Sequence, residues 1–199
     1  LKGTRNWCLR YEYQKDVQSL IGFSDSDRAT CPKTRRSVSC ELIFRGRRYL
    51  DGFVAGQALV ALSSGEAEFY GVVKASSVAL GYQAMMQDLG QQMGVRVWTG
   101  SMATMGISAS RGLDKLRHID AQCLWIQRKV RSKAIELIKI RGGMTPADLF
   151  TKHLPGENKI KSCVALLDCE FRGGRAATAP KLRDANASPA NELLTAAED

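Results

Sequence analysis

The segment Ala61-Leu62-Ser63-Ser64-Gly65-Glu66-Ala67-Glu68-Phe69-Tyr70, residues 61–70, carries the strongest local signal in the chain. Ser63 and Glu66 have the S-x-x-E spacing of a capping box, in which a hydroxyl and a carboxylate satisfy the free amides that open a helix. The spacing predicts a helix from there to about Leu89. On it Glu68, Val72, Ala75 and Ala79 fall on one stripe, which puts a carboxylate near the helix start on the side that carries small packing residues.

Upstream, Ser19 to Asp25 reads as a strand with Ile21, Phe23 and Asp25 on one face. Val38 to Phe44 and Tyr49 to Ala55 flank Arg45-Gly46-Arg47-Arg48 as a hairpin. Downstream, Val95 to Thr99 is a short strand, Ser101 to Ala109 a short helix and Arg117 to Ser132 a basic helix. Ala134 to Ile140 is a fifth strand. Thr145-Pro146-Ala147-Asp148 then opens another helix, with Thr145 as its N-cap and Pro146 at the first helical position. This order predicts an α/β fold, a five-stranded mixed sheet flanked by helices. In such sheets reactive groups gather where strand ends meet helix starts. Asp25, Glu68 and Asp148 all fall at such places.

Composition narrows the class. The 199 residues are 44% hydrophobic and 25% charged, enough for one core and against wholesale disorder. Every apolar run is broken well short of the roughly 20 residues of a membrane helix, so no membrane partner is expected. The start, Leu1-Lys2-Gly3-Thr4, reads as neither a signal peptide nor an initiator, which suggests a fragment of a longer product in an intracellular setting. The six cysteines include no C-x-x-C pair, and only two histidines, His118 and His153, could help complete a zinc site. Reduced thiols are expected.

The net charge of +9 is uneven: residues 1–50 hold 11 basic and 5 acidic groups and residues 101–150 hold 9 and 4, whereas 51–100 hold 2 and 4. Two basic blocks of this kind suit a phosphate backbone, although a solvated basic surface reads the same way. The acids are similarly open. Three carboxylates brought together repel unless cations lie between them, and Mg²⁺ is a hard ion suited to such ligands. Exposed acids at element ends are also commonly capping or solvated groups.

Five words in order add to this. Phe23-Ser24-Asp25-Ser26-Asp27, Thr34-Arg35-Arg36-Ser37-Val38-Ser39, the 61–70 segment, Leu116-Arg117-His118-Ile119-Asp120, and Pro146-Ala147-Asp148-Leu149-Phe150-Thr151-Lys152-His153-Leu154-Pro155 resemble the signatures of the ribonuclease H region of copia-type retrotransposon Pol polyproteins. The resemblance covers about residues 1–155. It implies a ribonuclease H-like fold over 19–155 and a linker over 1–18 that follows a reverse transcriptase; a C-terminal helix or extension is expected over 156–171, and the shift of composition to Ala, Pro, Asn, Gly and acidic residues points to a disordered tail over 172–199. It also implies that Asp25, Glu68 and Asp148 are catalytic metal ligands, with two Mg²⁺ (or Mn²⁺) ions in an intact member. The implied partner is an RNA–DNA hybrid, and no small-molecule cofactor is expected. Cytoplasmic particles or the nucleus are the implied locations. Asp27 and Glu66, in the same words, are read as supporting or solvated groups.

The chain departs from the pattern at the end of the fourth strand, where Gly100 stands in place of an aspartate. Arg28 replaces a usual Trp and Thr30 a usual Gly, and Arg28 is expected to bring positive charge beside Asp25. Two functional readings follow: an impaired metal-dependent endoribonuclease, or an inactive nucleic-acid-binding relic that uses Lys33, Arg35, Arg36, Arg117, Arg128, Lys129 and Arg131. Single-copy Arg172-Gly173-Gly174-Arg175 is read as linker rather than an RNA-binding tract.

Overall fold

The computed structural model describes residues 6–15, 17–111 and 120–172, with the side chains of 120–123 excepted. Residues 1–5 of the expected linker, the Leu116–Ile119 word with Arg117 and His118, and the expected tail from residue 173 onward lie outside the described residues.

One compact unit spans Cys8–Glu170. Its centre is a five-stranded sheet of order β4-β3-β2-β5-β6, built from β2 (Ser19–Asp27), β3 (Val38–Arg45), β4 (Arg48–Gly56), β5 (Gly94–Thr99) and β6 (Glu136–Lys139). The first three strands form an antiparallel meander, and β5 and β6 extend it in parallel on the other side of β2. The expected α/β fold with a mixed sheet is therefore present. β2 occupies the middle, so its C-terminal end is bordered by β3 on one side and β5 on the other.

Both faces of the sheet are covered, which is why β3 is buried along nearly all its length. One face packs on α1 (Ser64–Asp88) and α3 (Asp120–Arg131), with Ile43, Phe69, Val72, Ala75, Val97 and Ile126 as its core. The close approach of α1 depends on Gly71, where an added Cβ would lie 2.6 Å from Ser24 Oγ and 2.9 Å from Ser26 Oγ. α2 (Met102–Ala109) follows β5 and is capped by Ser101, whose hydroxyl accepts from the Thr104 amide. The opposite face carries Cys40, Leu42, Phe44, Ala147 and Leu167, with Phe23 edge-on to Phe44. α4 (Asp148–Thr151) and α5 (Glu157–Leu166) belong to this second side, and Leu167 just past α5 enters its core.

Two local expectations are corrected. The helix at 145–151 is a single turn that starts at Asp148, with Ala147 at its cap and no side-chain capping bond. Thr145 is buried with an unpartnered hydroxyl, so it does not cap that helix. The S-x-x-E box also closes differently from its ideal form. Ser63 Oγ accepts from the Glu66 amide as expected, but the Glu66 carboxylate accepts from the Leu62 amide and the Tyr70 hydroxyl. Glu66 is 2% exposed, so it is a buried buttress of the helix entry rather than a solvated group.

Two strands that sequence periodicity did not reveal, β1 (Trp7–Leu9) and β7 (Cys169–Phe171), make a separate two-stranded ribbon. The other compact unit comprises residues 1–7 and 171–199; among its described residues the Arg172 amide donates to the Asn6 carbonyl. No described helix is long and apolar enough to cross a membrane. The described cysteines whose side chains are placed are free thiols.

Candidate carboxylate site

β2 delivers Asp25 at its C-terminal end on the face shared with Phe23, because residues two apart in a strand project to the same side. Phe23 in turn touches Trp98 of β5, ring centroids 5.7 Å apart. Asp25 is 2% exposed, paired in register with Cys40 of β3, and accepts a hydrogen bond from the Thr151 hydroxyl. Asp148 opens α4 on the same side of the sheet and is 5% exposed. An acid in a first helical turn meets the positive end of the helix dipole, although a single turn contributes little of it.

The two aspartates are joined by one cation. Lys152, four residues after Asp148, places Nζ 2.6 Å from Asp148 Oδ1 and 3.0 Å from Asp25 Oδ1. Burial alone would lower the Lys152 ammonium, but its hydrogen bonds to Asp148 and Asp25 outweigh that and hold it above its ordinary value. Its side chain remains 44% exposed, while those of Asp25 and Asp148 are 3% and 7% exposed. The pair is sealed on the protein side and the cation reaches it from solvent.

Glu68 comes from the second turn of α1. Burial pushes its carboxyl up to about 8, the Asp25 charge adds to the rise, Lys152 opposes it and Asp148 adds a smaller share. These couplings place Glu68 in the field of both aspartates. Its Oε2 is buried without a hydrogen-bond partner. Asp25 and Asp148 therefore meet at one end of the sheet with Glu68 in their field, and an ammonium rather than open space lies between the two aspartates. Among the described residues no three carboxylate, imidazole or thiol groups stand in an arrangement that holds a metal ion. Lys152 takes up the space and charge between two of them.

Gly100 closes β5 next to this site. Ser24 pairs with Thr99 in the parallel ladder, so the residue that follows Thr99 comes beside Asp25. A Cβ at Gly100 meets nothing within 4 Å, and the Gly100 carbonyl accepts from the Lys139 ammonium. Open space thus lies where the departure from the sequence pattern occurs. Arg28 does not supply positive charge to Asp25 as expected: its guanidinium donates to the Leu62 carbonyl, 2.9 Å away. Lys152 holds that role instead. It stands inside a quoted word, yet nothing in the sequence tells which way a lysine just past a one-turn helix will reach.

The basic residues lie on two elements. Lys33, Arg35 and Arg36 sit exposed in the loop after β2, a turn closed by the Arg35 amide on the Cys31 carbonyl and by Arg35 in the left-handed region (φ +57°). Arg128, Lys129 and Arg131 occupy the last turn of α3. None of these six makes an ion pair among the described residues. His153 is exposed.

A cavity of about 510 Å³ lies away from the aspartates, between α1 and the β3–β4 hairpin, with Glu41, Phe53, Gln57, Tyr70 and Lys74 in its wall. Glu41 is 2% exposed, and burial pushes its carboxyl up to about 8 against the opposing charge of Lys74. Neither Glu41 nor this cavity was singled out by the sequence reading.

No family model matches the chain. A curated relative does: the retrovirus-related Pol polyprotein from transposon TNT 1-94 of Nicotiana tabacum is 27% identical over 169 residues, covering 84% of this chain and 12% of the relative. Most of the chain is thus similar in sequence to part of a retrovirus-related Pol polyprotein. The chain spans only 12% of the length of the polyprotein it matches.

Solved structures similar to this chain include two ribonucleases H. The N-terminal ribonuclease H domain of Rv2228c from Mycobacterium tuberculosis is 12% identical, with 74% of this chain and 97% of that chain covered and a TM-score of 0.48. A ribonuclease H1 isolated from compost is 15% identical, with 63% and 86% covered and a TM-score of 0.47.

Proposed function

We propose that this chain hydrolyses the RNA strand of RNA–DNA hybrids with Mg²⁺ or Mn²⁺ as cofactor, as part of a copia-type retrotransposon polyprotein, and that Gly100 holds the rate far below that of a four-acid site. The observation that carries this reading is the meeting of three acids from separate elements: Asp25 and Asp148 on one ammonium, with Glu68 in the field of both. A structural role would be expected to satisfy each buried oxygen, and Glu68 Oε2 is not satisfied.

With Lys152 displaced, the chemistry of the donor set suits a hard divalent ion, since all three side chains offer oxygen and Glu68 Oε2 has no hydrogen-bond partner among the described residues. Asp25, Glu68 and Asp148 would hold it, and when bound it supplies the charge that activates a water and steadies the leaving oxygen of a phosphodiester. The protein's own residues do the rest. The Thr151 hydroxyl fixes the orientation of Asp25. Lys33, Arg35 and Arg36 stand in the loop that leaves the same end of β2, placed to grip a phosphate backbone. An RNA–DNA hybrid is A-like and displays 2′-hydroxyls in a wide minor groove, which is the feature that distinguishes its RNA strand. A reverse transcriptase upstream in the same polyprotein would supply that hybrid.

Incubation with an end-labelled hybrid and Mg²⁺ or Mn²⁺ tests the reading, with the native chain beside Gly100→Asp. The expected outcome is weak cleavage by the native chain and stronger cleavage by the variant, whose new side chain has open space to enter. Absence of cleavage from both removes the catalytic reading. A second reading, a nucleic-acid-binding relic without chemistry, is favoured by the six cations that make no ion pair among the described residues and predicts hybrid binding in EDTA.

A further inference from the structure

We propose that Lys152 is a built-in counter-cation of the carboxylate site, so that a divalent ion binds this protein by exchange with the Lys152 ammonium rather than by entry into a waiting cup. The inference rests on the carboxylate reading above and concerns how that site is filled.

Three observations carry it. The first is geometric: Lys152 Nζ contacts one oxygen of each aspartate, at 2.6 and 3.0 Å, which is the bridging role a cation would take between two buried like charges. The second is the asymmetry of exposure. Asp25 and Asp148 are almost fully buried, whereas Lys152 stands on the backbone just past the one-turn helix α4 with its side chain 44% exposed. A long, half-exposed stem can swing into solvent without disturbing the core, while the aspartates cannot leave. The third is the missing fourth acid. With Gly100 at the end of β5 the site has three carboxylates, and one ammonium offsets a larger share of their charge than it would of four.

The groups around Lys152 support an exchange. Asp25 lies on β2, Asp148 on α4 and Glu68 on α1; Thr151 adds a neutral hydroxyl to Asp25, and the Lys139 ammonium sits on the Gly100 carbonyl at the β5 edge. No other described cation is bonded to Asp25 or Asp148. When a divalent ion enters, the ammonium leaves with its proton, so one positive charge goes out, two come in, and the site gains one net positive charge. The freed lysine then stands at the mouth of the site, where an incoming phosphate would meet it.

The test compares the native chain with Lys152→Met, which keeps the stem and removes the charge, and Lys152→Arg, which keeps the charge. Thermal unfolding is followed in EDTA and across a Mg²⁺ or Mn²⁺ titration. Lys152→Met is expected to melt lower than the native chain in EDTA, to gain more from metal, and to bind the ion with a Kd about tenfold lower, one charge-assisted contact's worth of competition removed. Lys152→Arg is expected to return the metal response towards the native one. A merely structural lysine would lower the melting temperature at every metal concentration alike, and that outcome overturns the proposal. An independent readout needs no variant: acetylation of Lys152 in the native chain, followed by mass spectrometry, is expected to quicken severalfold when Mn²⁺ is added. Equal reactivity with and without metal overturns the exchange even if the ion binds. If no form binds the ion at all, the metal-site reading itself fails and the exchange falls with it.

Discussion

On the proposed reading, a single residue limits the chemistry that the carboxylate site supports. Gly100 offers no ligand, and loss of one charge that acts on the transition state costs roughly 3 to 5 kcal/mol, or about 10²- to 10⁴-fold in rate. Gly100→Asp is therefore expected to raise single-turnover hybrid cleavage by a factor within that range, read with Mn²⁺ and labelled RNA. Glu41 gives a separate, pH-dependent prediction. Its folded value of about 8 lies above the ordinary carboxyl range, so the folded state binds the proton more tightly than the unfolded chain does. The stabilisation is complete below about pH 4.5, declines as pH rises and is gone above about pH 8. Glu41→Gln should flatten that decline, checked by urea midpoints of both proteins between pH 5 and 8. Asp25, Glu68 and Asp148 were all nameable from sequence, because each stands in a quoted word at an element end. Lys152 and Glu41 were not, since their significance depends on what their side chains touch and how deeply they are buried.

At the scale of elements, α1 shows why the site end of the sheet is rigid. It approaches β2 so closely that only Gly71 fits against Ser24 and Ser26, whose hydroxyls would lie within 3 Å of any added Cβ. Gly71→Ala is expected to destabilise the protein by about 1–3 kcal/mol through overpacking, despite the better helix propensity of alanine. Chemical denaturation measures this directly, and a neutral or stabilising result contradicts the packing argument. The helix itself was legible from the Ser63 and Glu66 spacing, β2 from its alternation, and the β3–β4 hairpin from the Arg45-Gly46-Arg47-Arg48 turn between two strand-like runs. The ribbon of β1 and β7 was not, because three residues are too few to show a period. The extent of α4 was also misread: Thr145-Pro146 has the chemistry of a helix start, yet the chain spends those residues on a turn and begins the helix at Asp148.

For the whole molecule, the net charge of +9 and its concentration in two blocks predict an electrostatic grip on polyanions. Affinity for a hybrid in EDTA should fall steeply with salt, and reversing charge at Lys33, Arg35 and Arg36 together should make the log–log slope shallower by about two to three. Fluorescence anisotropy between 50 and 200 mM salt checks both; a salt-independent affinity would point to another mode of contact. The charge blocks were countable from sequence. The sheet order was implied only by the resemblance, since nothing in a strand's own composition says that β2 lies between β3 and β5. That central position is what brings the β2 end level with the Gly100 edge and beneath α4.

The pairing of Asp25 with Asp148 through Lys152 spans more than half the chain in sequence. During synthesis, β2 and its hairpin leave the ribosome long before the partner acid exists, so half of the site must wait, unbridged, for the last helices to arrive. A product truncated before α4 could still build most of the sheet, yet it would lack the Lys152 bridge between Asp25 and Asp148.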